Sequence, residues 1–209
     1  MTVNVFFDVD GTLHSGDIFE NYIRKLARRS YLRTILCLPV LGIAFASHKI
    51  SPDRRLSLSV LIWFLTFGLS RSSLERFDDD FINQFCASNC LHTKPWRELE
   101  RHYREGAHLF LVSGSPENLV RRIYPNLSSD DRVTLVGSNL KRFMGGLCLS
   151  IRCVCSEKVR QVESRTGKKT YFLAGYSDNR NDKPILDLCE IKYRVDRAGE
   201  IEDWSDERK

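Results

Sequence analysis

The sequence predicts an α/β protein: a parallel sheet with helices on both faces, an inserted helical cap and a small β-ribbon. Three observations lead there. Strand-like segments recur at 3–7, 109–112, 133–136, 171–174 and 192–195, most of them apolar. Helical stretches separate most of them, and strands alternating with helices imply parallel βαβ units. The first ends in Val5-Phe6-Phe7, which is continuously apolar, as a strand covered on both faces should be.

The strand at 3–7 runs into Asp8-Val9-Asp10-Gly11-Thr12, two carboxylates at i and i+2 before a glycine turn. Ligands of open α/β sheets sit outside the carboxyl ends of such strands. Carboxylates there can bind a hard cation through oxygen, and one can attack phosphorus as a nucleophile. Alone, the segment also reads as a strand closing in an acidic turn. Residues 16–85 read as a helical insert. A helix at 95–105 leads to the strand at 109–112 and then Ser113-Gly114-Ser115-Pro116. Ser115 suits an N-cap and Pro116 the first helical position. The free N–H groups of that helix start, with the Ser113 hydroxyl, suit an anion; a capped helix without a ligand fits as well.

The strand at 133–136 precedes a β-ribbon at 139–154, with Gly145-Gly146 at its turn. Lys158 heads an amphipathic helix at 157–165, where a cation opposes the macrodipole. That placement suits a phosphate neutraliser, and a solvated surface Lys is the plainer reading. The strand at 171–174 ends in a loop carrying Asp178 and Asp182 at i and i+4. Asp178 is placed to complete a magnesium site, because Mg²⁺ takes one or two carboxylates beside water and phosphate. A polar turn is the alternative. A helix at 182–189 and the strand at 192–195 follow, and the charged end, 200–209, is expected to fray.

These segments come in the order acid pair, Ser, Lys, acid pair, each after an apolar strand or at a helix start. In that pattern the chain resembles the haloacid dehalogenase-like (HAD) phosphatases, subfamily IB. Their motifs match DxDGT at Asp8, Asp10, Gly11 and Thr12, SG at Ser113 and Gly114, Lys158, and DxxxD at Asp178 and Asp182. Ser177 departs from the Gly that many members carry, which adjusts the loop without removing a ligand. The resemblance implies a Rossmann-like sheet with the first strand central, formed by 1–15 and 86–209, around a cap at 16–85. It implies Asp8 as nucleophile, Asp10 as acid/base, and Ser113, Gly114 and Lys158 on the phosphoryl oxygens. Mg²⁺ would be held by Asp8, Asp178 and the Asp10 carbonyl, with Asp182 orienting Lys158 or a bound water. The acid/base role asks for a raised Asp10 pKa.

DGTLHSGDIF, Thr66-Phe67-Gly68, Arg152-Cys153 and the tail Tyr193 to Glu200 further resemble the phosphatidylglycerophosphatase C family. This implies dephosphorylation of a phospholipid headgroup at the cytoplasmic face of a bacterial inner membrane. Two rivals stand beside it: a soluble, cytoplasmic phosphatase of the phosphoserine type, and a non-enzymatic phosphoacceptor or membrane-binding module. Asp10 speaks against the last, since a stable acceptor needs no acid/base.

Composition bounds the partners. The net charge is +5, yet residues 21–76 hold ten Lys or Arg against two acids. Two uncharged apolar runs, 34–47 and 56–70, lie in that basic stretch. About 14 helical residues reach about 21 Å, short of a hydrocarbon core of about 30 Å. A buried cap and an interfacial hairpin docked on anionic lipid both remain. A nucleic-acid patch fits poorly, because the basic residues flank aliphatic runs. His14, Asp17 and the Arg54-Arg55 pair are candidates for substrate selection. The seven cysteines lack paired zinc spacing and read as free thiols of a reducing compartment, with a zinc site or disulfide as the alternative. Asp8 and Asp10 interrupt any secretory apolar segment.

Overall fold

The computed structural model describes residues 3–32, 35 and 55–204. Seven strands form one sheet in the order β4-β3-β2-β1-β5-β6-β7. The strands are β1 (Asn4–Phe7), β2 (His108–Pro116), β3 (Val133–Phe143), β4 (Gly146–Ile151), β5 (Phe172–Ser177), β6 (Cys189–Val195) and β7 (Ile201–Asp203). The middle five are parallel; β4 and β7 run antiparallel at the two edges. The predicted α/β class and the central first strand are both present. Val5 lies opposite Leu109 on one side and Ala174 on the other.

The apolar run of β1 follows from that position. Val5 and Phe7 pack into one core with Leu109, Leu111, Phe85 and Tyr176. Phe6 points the other way, into a second core with Phe110, Phe172 and Ile185. Alternate residues of a strand face opposite sides, so a strand with two cores beside it must be apolar throughout.

Four local expectations need correction. First, β2 continues to Pro116, and the next helix, α5, spans Glu117–Ile123. Ser115 therefore does not cap it; its Oγ accepts from the Phe19 N–H at 3.0 Å. Second, the strand at 133–136 and the ribbon are one element: β3 runs on past the sheet and folds back as β4. Third, the helix at 182–189 shrinks to a 3₁₀ turn (Arg180–Asp182) and one short helix, α8 (Lys183–Leu186). The Leu188 carbonyl accepts from Phe172 N at 3.0 Å, and Cys189 already belongs to β6. Fourth, 201–203 does not fray but pairs with β6. Asp196 Oδ1 accepts from Ala198 N and Glu200 N at 2.8 Å, and Gly199 has φ +80°. This is turn chemistry that reverses the chain.

The insert contributes α1 (Ile18–Arg29), α2 (Arg55–Thr66) and α3 (Arg71–Ser88). Helix α4 (Thr93–Arg104) returns the chain to the sheet, and α6 (Pro125–Ser128) follows α5. Tyr22 of α1 lies edge-on to Phe77 and Phe81 of α3, and its hydroxyl donates to Asp78 at 2.8 Å. Helix α2 lies along β4. Ser59 Oγ and Thr66 Oγ1 accept from Leu149 N and Leu147 N at 2.9 and 2.8 Å, so the outer edge of the ribbon is closed by a helix. The close approach requires Gly146, where an added Cβ would sit 2.7 Å from the Trp63 carbonyl. Gly146→Ala is expected to lower stability by about 1–3 kcal/mol, read as a lower denaturation midpoint.

Arg54 and the apolar run 34–47, apart from Ile35, lie outside the described residues. Among the described residues no single helix is long and apolar enough to cross a membrane. The pair α2 and α3 reaches that length only jointly, across a bend of 108°. The six described cysteines are free thiols.

Candidate active site

The carboxyl ends of β1, β2 and β5 meet the start of α7 (Ser156–Thr166) at one cavity of about 1030 Å³. Asp8 follows β1, and its N–H is held by the Tyr176 carbonyl at 2.9 Å. Lys158 Nζ lies 2.6 Å from Asp8 Oδ1 and 2.7 Å from Asp182 Oδ2. All three residues are buried. Asp10, Gly114 and Asp178 also line this cavity. The predicted set thus converges on one place, with Ser113 just behind the wall.

Gly11 makes the convergence possible. Its φ is +74°, and a Cβ there would sit 2.4 Å from Asp178 Oδ2. Thr12 Oγ1 accepts from Asp178 N at 3.1 Å, which fixes the β5 loop against the β1 loop.

The electrostatics follow from burial and crowding. Burial pushes Asp8 well above the ordinary carboxyl range; the neighbouring charges of Asp182 and Asp178 add to this, and Lys158 opposes it. Burial also raises Asp178, and the charge of Asp182 reinforces the rise. Burial works against the charge of Lys158, yet its two carboxylate partners win and hold it upward. Three carboxylates thus share one ammonium, and the missing positive charge suits a hard divalent cation. Among the described residues no three His, Cys, Asp or Glu side chains form a metal cage. Two carboxylates with a main-chain carbonyl match what Mg²⁺ takes beside water and phosphate.

Two expectations change here. The Ser113 hydroxyl is already committed: it donates to Asp10 Oδ2 at 2.6 Å and accepts from Ser115 N at 2.8 Å. And Asp10 is not raised. Burial pushes it up, but the His14 ring, the Ile18 N–H and the Ser113 hydroxyl stabilise the carboxylate and hold it below the ordinary value.

The candidates for substrate selection separate. Asp17 caps α1, accepting from Glu20 N at 2.7 Å, and lines the cavity. His14 is buried away from it. Arg55 donates from Nε to the Leu149 carbonyl at 3.3 Å and so ties α2 to the ribbon. Sequence reasoning missed Arg160, Phe19 and Leu58 on the cavity wall, and quoted Arg152 without giving it a place at the site. Ser177, expected only to adjust the loop, does more. The Ser177 hydroxyl donates to Asp182 Oδ2 at 2.7 Å, beside the Lys158 bond to the same oxygen. A polar residue in place of a glycine was the available signal. Ser177→Ala should therefore cost about 0.5–1.5 kcal/mol of alignment, a several-fold loss of kcat/KM at unchanged fold.

The chain matches the haloacid dehalogenase-like hydrolase family over residues 5–187, and it belongs to that family. Phosphoserine phosphatase SerB1 of Mycobacterium tuberculosis (strain ATCC 25618 / H37Rv) is 24% identical over 226 residues. That match covers all of this chain and 69% of the relative. A solved protein of unknown function from Bordetella pertussis Tohama I superposes with TM-score 0.69 at 16% identity, covering 92% of this chain and 89% of that one. A phosphoserine phosphatase solved as a phospho-aspartyl intermediate analogue gives TM-score 0.56 at 14% identity, covering 91% and 85%. Both structural likenesses bear on the fold alone. The chain is thus an HAD-family hydrolase.

Proposed function

We propose that this chain is a Mg²⁺-dependent phosphomonoesterase that works through an aspartyl-phosphate on Asp8. The observation that carries this reading is Lys158, buried between Asp8 and Asp182 on the cavity floor. An Asp8 oxygen attacks phosphorus while the bond to the leaving oxygen breaks. Asp10 gives its proton to that departing alkoxide. It then takes a proton from water as the water oxygen attacks phosphorus, which frees phosphate and restores the Asp8 carboxylate. Lys158 and the Gly114 N–H offset charge on the phosphoryl oxygens. Asp182 keeps Lys158 aimed, and Ser113 holds Asp10 instead of the phosphate. When bound, Mg²⁺ held by Asp8, Asp178 and the Asp10 carbonyl supplies charge neutralisation and orients the phosphoryl group. The Asp10 carboxyl is held low in this structure, so to serve as the acid it must first take up a proton from solvent, which the negative charge of a bound phosphate would favour.

The substrate class we favour is a small soluble phosphomonoester of the phosphoserine type. The names of the relatives support this. So does the cavity rim, where Asp17 and Glu20 could meet an ammonium and Arg152 and Arg160 a carboxylate. The second reading is phosphatidylglycerophosphate in phospholipid biosynthesis at an anionic membrane surface. Its support is an apolar wall of Phe19, Ile23 and Leu58 in the cavity, together with the exposed Tyr31, Leu32 and Leu56 of the insert.

The test is phosphate release from a panel including phosphoserine and phosphatidylglycerophosphate, with Mg²⁺ varied, plus flotation with anionic liposomes. We expect turnover of phosphoserine, a loss of about 100-fold or more on chelation, and no flotation. Flotation with preferred turnover of the lipid would replace the substrate class. No turnover of any member would leave only a phosphoacceptor or binding module.

A further inference from the structure

The structure assigns His14 a positioning role: braced by Tyr124, it holds the Asp10 carboxylate in the orientation from which Asp10 serves the leaving group. This rests on the acid/base reading of Asp10. His14 follows Asp10 by four residues, and the loop folds back so that the two pair as an isolated bridge. The residue is 1% exposed and takes no part in the cavity lining. Nδ1 lies 2.5 Å from the Tyr124 hydroxyl. Nε2 lies 3.5 Å from Asp10 Oδ1 and has no hydrogen-bond partner. The ring stands edge-on to Phe85, centroids 5.2 Å apart. Tyr124 is buried in turn, against Trp96.

The arrangement has a physical cost. Burying a polar nitrogen without a hydrogen bond is unfavourable, and an apolar ring at position 14 would avoid it. The nitrogen left without a bond faces the carboxylate that must move a proton. Asp10 Oδ1 takes the Ile18 N–H at 2.8 Å on one side and faces His14 on the other, while Ser113 holds Oδ2. His14 is thus the support on Oδ1 that arrives from behind the cavity, leaving the front open to substrate. Tyr124 keeps the ring from turning, because rotation about the Cβ–Cγ bond would break the 2.5 Å contact.

The experiment compares kcat/KM, which reports transfer to Asp8, for an alkyl substrate and for p-nitrophenyl phosphate. The alkyl leaving group needs a proton; p-nitrophenolate leaves as a stable anion. His14→Phe, which fills the space but offers no nitrogen, should lower the alkyl-to-aryl ratio about tenfold or more. His14→Gln should recover part of that loss, and Tyr124→Phe should lower the ratio by a smaller factor. A merely structural role would reduce both substrates alike and leave the ratio fixed. If His14→Phe does not fold, His14→Gln and Tyr124→Phe read the same ratio, and an unchanged ratio in both overturns the proposal. Asp10→Asn separates the two readings. A lowered ratio in Asp10→Asn with an unchanged one in the His14 variants rejects His14 alone. An unchanged ratio in Asp10→Asn rejects the acid/base assignment beneath it.

Discussion

On the proposed mechanism, Asp8→Asn is expected to cut phosphate release by about a thousand-fold or more, because an amide in place of the carboxylate cannot serve as the nucleophile. The loss should come without unfolding. Asp8 is pushed well above its ordinary value by burial and by the charges of Asp182 and Asp178, so its ionised form is costly in the folded state. The sign follows from linkage. A carboxyl raised on folding favours the native state while protonated, and that contribution fades as pH rises from the ordinary 3.8 through the raised value. The asparagine carries no such dependence. It gives up the Lys158 bond but also relieves the crowding of like charges. Its thermal midpoint at neutral pH should lie within a few degrees of the parent, and the comparison should turn against the parent as pH rises from about 4 to 7. Colorimetric phosphate assay and calorimetry across that range check both halves. An Asp8→Asn variant with parental turnover would dispose of the nucleophile.

Lys158→Met should damage both activity and fold. The ammonium holds two buried carboxylates at 2.6 and 2.7 Å, and taking one member out of a buried ion cluster costs about 3–5 kcal/mol. Phosphate release should fall about a hundred-fold or more, since a cation preset at the phosphoryl oxygens is lost. The stability deficit has a direction in pH. Without Lys158, Asp8 loses the interaction that opposes its upward shift and rises further. The deficit should be smallest near pH 4 and below, where Asp8 is protonated in the folded chain with or without Lys158, and grow toward neutrality. Denaturant midpoints at several pH values measure it. A deficit that shrank toward neutrality would mean that Lys158 does not neutralise Asp8.

Part of this site is legible in the chain's local pattern. Asp8, Asp10, Lys158 and Asp178 sit where strands end or a helix begins, and those boundaries show in the alternation of apolar runs and turns. The helix start after Ser113 is not legible there, because Ser115-Pro116 is good capping chemistry locally. Tertiary pairing overrides it: Pro116 stays in register with Ser138 of β3, and Ser115 is taken by the Phe19 amide. The low Asp10 pKa is equally hidden, since its causes come from the turn and from a strand 103 residues away.

Sequence was sufficient for the α/β class, the doubly covered first strand and the order in which the acidic, hydroxyl and basic residues are delivered. These are local properties, written in side-chain periodicity and turn residues within a few positions of one another. Which groups touch was settled only in three dimensions: Lys158 with Asp8 across 150 residues, α2 with the ribbon edge, and His14 behind Asp10. Such contacts depend on strand order and on the direction each side chain takes from its strand or turn. Neither is fixed until the sheet has closed around both cores.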